Sequence, residues 1–180
     1  MDSEANFAKK ILKRIELLPA IAKSIAVFLS YWLGSFLTFH IHENTAYIGA
    51  MLACTSAIVV LQKEDLKGSF RIAWLRVVGT FIGAVMAISY LLLFPFSVVG
   101  MVIAVFVLDL ICMMLGVPDN GKMAAVTLVI ILIVSIYSTN LSPILNGTLR
   151  FLESAIGTSI GLCMVWILGY IDRKKKDFAS

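Results

Sequence analysis

Between Ala20 and Ile171 the charged residues fall almost entirely at the ends of six apolar stretches. Each stretch is close to the ~20 residues that a helix needs to cross a bilayer. A chain cut in this way has few folds open to it, because in lipid every backbone N–H and C=O must be satisfied within the structure, and a helix does this segment by segment. The expected spans are 20–39, 45–61, 70–94, 96–115, 122–137 and 147–171. Hydrophobic residues make up 60% of the 180 and charged residues only 14%, against about a quarter charged in soluble domains. With a mean hydropathy of +0.96, the expected fold class is an all-α integral membrane protein with six transmembrane helices.

The flanks fit that scheme. Residues 1–19 put Phe7, Ile11, Leu12, Ile15 and Leu18 on one helical face and Lys9, Lys10, Lys13 and Arg14 around the rest. This is the pattern of an amphipathic interfacial helix, which Pro19 is expected to end or turn. Residues 172–180 form a basic tail. Lysine and arginine cluster in the N-terminal segment, in the loop after the second span, in the turn after the fourth and in the tail. The other three loops have none, so six spans with both termini cytoplasmic satisfy the positive-inside rule. A net charge of +4 spread in this way marks topology and is not a nucleic-acid footprint. No segment has the pattern of a removable signal peptide.

Within the third span, Arg76-Val-Val-Gly79-Thr80-Phe-Ile-Gly83-Ala84 places a cation, a hydroxyl and two glycines in lipid-soluble sequence. Shifting the chain by 74 residues superimposes it on Arg150-Phe-Leu-Glu153-Ser154-Ala-Ile-Gly157-Thr158. Two three-span halves, about 20–94 and 96–171, would cross the membrane in opposite senses, the inverted-repeat plan of many transporters. That plan puts Arg76 near the cytoplasmic mouth of a pathway between the halves and Arg150 near the external mouth. Gly79 and Gly83, and Gly157 and Gly161, have the spacing of close-packing helix faces.

The polar residues carry competing readings. Arg76 is either an anion contact or a side chain snorkelling to the surface, lying roughly 8 Å along the helix from Arg71. Arg150 has Glu153 one turn on, so a local ion pair would neutralise it. Asp109, alone in the fourth span, is expected to face the bundle interior, with Arg76 as candidate partner and gating or proton coupling as candidate role. Thr80 and Ser154 are candidate carboxylate donors, though such hydroxyls more often bond helix carbonyls. Cys54, Cys112 and Cys163 lack metal-ligand spacing and read as small buried hydrophobes. His40, His42 and Glu43 read as a solvated loop, since no third ligand joins the histidines. Asn140-Leu-Ser142 and Asn146-Gly-Thr148 fit the glycosylation pattern on the external side. No phosphate loop, nucleophile–base set or metal motif is present, so no catalytic residue, metal or cofactor is expected.

The run from Tyr47-Ile-Gly-Ala through Gln62 and the loop to Arg71, followed by the Arg76–Ala84 motif, resembles the membrane unit of the fusaric acid resistance (FUSC) and aromatic acid exporter families. The aluminium-activated malate transporters of plants look like distant relatives with the same six-span unit. The resemblance covers about Ile21 to Leu168. It implies outward movement of organic anions, including aromatic carboxylates, with Arg76, Arg150, Thr80 and Ser154 as substrate contacts. The Gly-Thr pair of the motif becomes Glu153-Ser154 in the second half. Many relatives carry a soluble domain or second membrane unit, so a homodimer or higher homo-oligomer is expected here. The expected location is a bacterial inner (plasma) membrane and the expected partners are lipid and a small organic anion. The alternative is a non-transporting membrane subunit or scaffold.

Overall fold

The computed structural model describes residues 17–62, 65–138 and 140–179, with side chains as far as 174. They form six α-helices joined by short connections: α1 (Leu17–Phe39), α2 (Ala46–Val60), α3 (Leu66–Leu93), α4 (Val98–Met114), α5 (Pro118–Tyr137) and α6 (Pro143–Ala179). A single 3₁₀ turn, Glu43–Thr45, leads into α2. The amphipathic helix expected over 1–19 lies outside the described residues, apart from its last three positions. Among the described residues five helical segments are long and apolar enough to cross a membrane, α2 only with the 3₁₀ turn before it counted in; α4 is as apolar but has 17 residues.

Several helices start earlier than their apolar runs. Asp65 accepts a hydrogen bond from Gly68 N (2.8 Å), so α3 begins at Leu66 with Gly68 in its first turn rather than breaking the chain. Pro118 opens α5, where its missing N–H costs nothing. The expected turn over 116–121 therefore shrinks to Leu115–Val117, with Gly116 at φ 71°. Ser142 Oγ accepts from Leu145 N (3.3 Å) at the start of α6. Pro19 sits within α1, as the third of its described residues. The expected tail is likewise helical, since α6 continues to Ala179.

The peripheral helices bury narrow stripes of small residues. In α1 the buried positions are Ala22, Ala26, Ser30, Gly34 and Thr38, every fourth residue. In α4 they are Ala104, Leu108 and Cys112 at the same spacing. Bulky residues such as Phe28, Trp32, Val102 and Phe106 point outward, as lipid-facing surfaces require.

Helix α3 packs mainly with α5 and α6, and α6 packs mainly with α2 and α3 and also with α1, so the helices form two lobes, α3–α4–α5 and α1–α2–α6. One core cluster joins Ala84 and Ala87 of α3 to Leu108 of α4 and Leu128 and Ile131 of α5. Another joins Val165 of α6 to Ala26 of α1 and Ala57 of α2. Helices α3 and α6 also pack directly on each other between the lobes. Their buried faces coincide under the sequence shift that carries Arg76 to Arg150. Ala73, Arg76, Gly79, Thr80, Gly83, Ala84 and Ala87 are all buried, and so are Gly147, Arg150, Glu153, Ser154, Gly157, Thr158 and Gly161. The close approach is made by glycine. A Cβ at Gly83 would run into the backbone of Ala124 on α5, and one at Gly157 into the backbone of Ala53 on α2. Gly161 lies against Val60 and Ala57 of α2.

Candidate functional site

A polar layer crosses the apolar interior where α2, α3 and α6 meet. Arg76 is only 4% exposed. Its guanidinium turns inward to donate from Nε to Ser56 Oγ of α2 (3.1 Å) and from Nη1 to Met123 Sδ of α5 (3.4 Å). The side chain therefore does not snorkel. Ser56 Oγ lies 3.2 Å from Ser154 Oγ of α6, and Ser154 Oγ lies 3.1 Å from Thr80 Oγ1 of α3. Thr80 and Ser154, the two positions related by the shift of 74 residues, thus touch each other.

Proton counting defines what this layer can do. Ser56 donates its hydroxyl to Leu52 O (2.7 Å) and Thr80 donates to Arg76 O (2.7 Å). A hydroxyl has one proton, so these two are committed to backbone and present only lone pairs to the layer. Ser154 has one proton for two neighbouring acceptors. The mobile donors here are those of Arg76 and Ser154.

Arg150 has different surroundings. It is fully buried, and its Nη1 lies 3.0 Å from Glu153 Oε2 one turn along α6. The other carboxylate oxygen of Glu153 accepts a hydrogen bond from Thr38 Oγ1 of α1. None of the Arg150 guanidinium nitrogens makes an aligned hydrogen bond among the described residues. The pair is held by charge rather than by hydrogen-bond geometry. Asn146, also fully buried, donates to Ile131 O (3.1 Å) from the preceding turn.

Two arginines related by the sequence shift therefore differ in charge balance. Among the described residues the ion pairs are Arg150–Glu153 and the exposed Arg71–Asp119. Arg76 has acceptors that are neutral.

Asp109 does not join this layer. It is exposed on α4, one residue past the buried Leu108 and so about 100° around the helix from the packed stripe. Its carboxylate lies beside Gly121 in the first turn of α5, where the free N–H groups of a helix start favour an anion. The expected pairing with Arg76 gives way to this position. Of the cysteines, Cys112 is buried but Cys163 is exposed. It lines a groove of about 620 Å³ with Lys67, Phe70 and Trp166, between the start of α3 and the middle of α6. A second cavity of about 360 Å³ is walled by Trp32, Phe36 and Tyr47 on α1 and α2. His40 Nδ1 bonds Phe36 O (2.9 Å), and no cluster of three metal-binding side chains occurs among the described residues.

Sequence reasoning reached Arg76, Thr80, Arg150, Ser154 and the local partner Glu153. It missed Ser56, Met123 and Thr38, which reach the layer from other helices. The missed signal at Ser56 and Thr38 was a hydroxyl placed on a stripe of small residues.

The family model described as fusaric acid resistance protein-like matches residues 23–164. The chain belongs to this family. Its membership and its apolar helices make it an integral membrane protein, with membrane transport as the general function of the family rather than enzymatic catalysis. No curated protein and no solved structure gives a significant match.

Proposed function

We propose that this chain is a membrane transporter or channel for organic anions, exporting aromatic or other carboxylates, with Arg76 as the principal anion contact. The observation that carries the proposal is the electrostatic state of Arg76. It is a buried cation whose described acceptors, a serine hydroxyl and a thioether, are both uncharged. A buried cation without a counter-charge is costly, and an entering carboxylate supplies that charge with two strong hydrogen bonds. Beside it Ser154 has a hydroxyl proton that is not committed to backbone and can turn from Thr80 or Ser56 to the substrate. Arg150 contributes positive potential only as far as Glu153 leaves it unneutralised, so it is the weaker contact.

The membrane arrangement belongs to the same proposal. The six helices cross as two inverted three-helix repeats, α1–α3 and α4–α6, with both termini in the cytoplasm of a bacterial inner membrane. At about 25 Å, the 17 residues of α4 lie at the short end of what spans a bilayer. Support comes from the coincident buried faces of α3 and α6 and from the contact between Thr80 and Ser154. The chain works as a homodimer or higher homo-oligomer: Arg76 is packed among three helices here, and the two cavities described above have neither arginine in their walls.

The test is flux of benzoate, salicylate and malate in liposomes containing the purified chain, native and Arg76→Gln. Both proteins are first checked by size-exclusion profile. Flux that disappears in a folded Arg76→Gln variant supports the reading. Flux unchanged by the substitution removes Arg76 from the pathway. Absence of flux for every anion favours the scaffold alternative.

A further inference from the structure

The shift that carries Arg76 to Arg150 also carries Gly79 to Glu153 and Gly49 to Met123. The structure brings these positions together in two equivalent pairs. A Cβ built on Gly79 would lie 2.6 Å from Met123 Cβ, and one built on Gly49 would lie 2.7 Å from Glu153 Cδ. At each arginine one facing position is glycine, and the other sends a long side chain to the guanidinium. Beside Arg150 that side chain is Glu153, with Oε2 at 3.0 Å from Nη1. Beside Arg76 it is Met123, with Sδ at 3.4 Å from Nη1. Large and small have changed places between the halves, and a carboxylate has become a thioether.

We infer that Met123 is the specificity-determining residue of the anion site, a displaceable acceptor that occupies on Arg76 the place a substrate carboxylate takes. This rests on the anion-transport reading above. A thioether is a weak acceptor with no charge, and methionine repacks readily through its unbranched, flexible chain. Met123 is only half-buried, so its side chain has room to withdraw. A carboxylate that replaces it gains charge-assisted bonds to the same nitrogens. Glu153 holds that arrangement at Arg150, which leaves the second arginine the weaker contact. The site thus takes its carboxylate chiefly at Arg76, next to the apolar wall of α5.

The experiment measures benzoate flux in liposomes for the native chain, Arg76→Gln, Met123→Glu and Met123→Gln. Met123→Glu installs the fixed carboxylate found in the other half and is expected to lower flux at least ~10-fold by pairing with Arg76. Met123→Gln keeps a similar shape without the charge, but its amide oxygen is a stronger acceptor for the guanidinium than the thioether, so its flux is expected to fall between native and Met123→Glu. Flux at the native level in Met123→Glu, with Arg76→Gln inactive, overturns the role of Met123 while transport through Arg76 stands. Native flux in Arg76→Gln, or none in the native chain, overturns the anion site and this inference with it. Should Met123→Glu fail its size-exclusion check, Met123→Leu decides. Losing the competing acceptor is expected to lower the benzoate KM roughly 2- to 10-fold at unchanged maximal rate, and a KM equal to or above native refutes the proposal.

Discussion

Replacing Glu153 by glutamine should unfold this protein well below its native melting temperature, although the side chain keeps almost the same shape. Arg150 has no exposed surface, and none of its guanidinium nitrogens makes an aligned hydrogen bond among the described residues. Its compensation is the Glu153 carboxylate at 3.0 Å. At that separation the attraction is about 5 kcal/mol for an effective dielectric constant near 20. Breaking buried pairs by removing one partner typically costs about 3–5 kcal/mol. For a chain of this size roughly 2–4 °C of melting temperature accompanies each kcal/mol, so a loss of about 6–20 °C is expected. The amide can still accept from Thr38, so the loss reports charge rather than the Thr38 contact. Melting in detergent followed by size-exclusion is the assay, with the double variant Arg150→Met/Glu153→Gln as partner. Removing both charges should recover most of the loss, because well-packed neutral groups replace buried pairs at little cost. A Glu153→Gln protein that melts within ~2 °C of native, or a double variant no better than the single one, would refute the reasoning.

The close helix approach gives a second prediction. Gly157→Ala drives a methyl group into the backbone of Ala53 and should destabilise by about 1–3 kcal/mol, whereas Gly169→Ala, with nothing within 4 Å, should be neutral or gain up to about 1 kcal/mol in the same melting assay. Asp109→Asn should leave benzoate flux at the native level and move the melting temperature by no more than ~2 °C, because the carboxylate is exposed and outside the polar layer. A loss of flux in that variant would return Asp109 to the pathway.

The order of the six helices was legible because each is written as a separate run of apolar residues. The helix starts were less so. Asp65, Pro118 and Ser142 looked like loop residues, yet they are the groups that open α3, α5 and α6. The same polarity that marks a loop also satisfies the free donors of a helix end. Within the site, Arg76, Thr80, Arg150 and Ser154 were legible because the sequence repeats them. Met123 was hidden, since one methionine among eight in apolar sequence carries no mark of the guanidinium it meets. Asp109 was misplaced for a related reason. Depth along a helix can be counted from its ends, but which face meets a neighbour depends on the stripe that packs, here Ala104, Leu108 and Cys112.

Two points related by a twofold operation can touch only where they straddle its axis. Thr80 and Ser154 are such a pair under the proposed repeat, at 3.1 Å. Any motion in which the halves trade conformations turns every other contact into its counterpart, but it returns this one to itself. The Gly79–Met123 contact would take on the geometry of the Glu153–Gly49 contact and the reverse, while Thr80 and Ser154 would stay in register. Under that repeat the hydroxyl pair would be the fulcrum between the halves. A bulky residue at either position would act as a wedge on both halves at once.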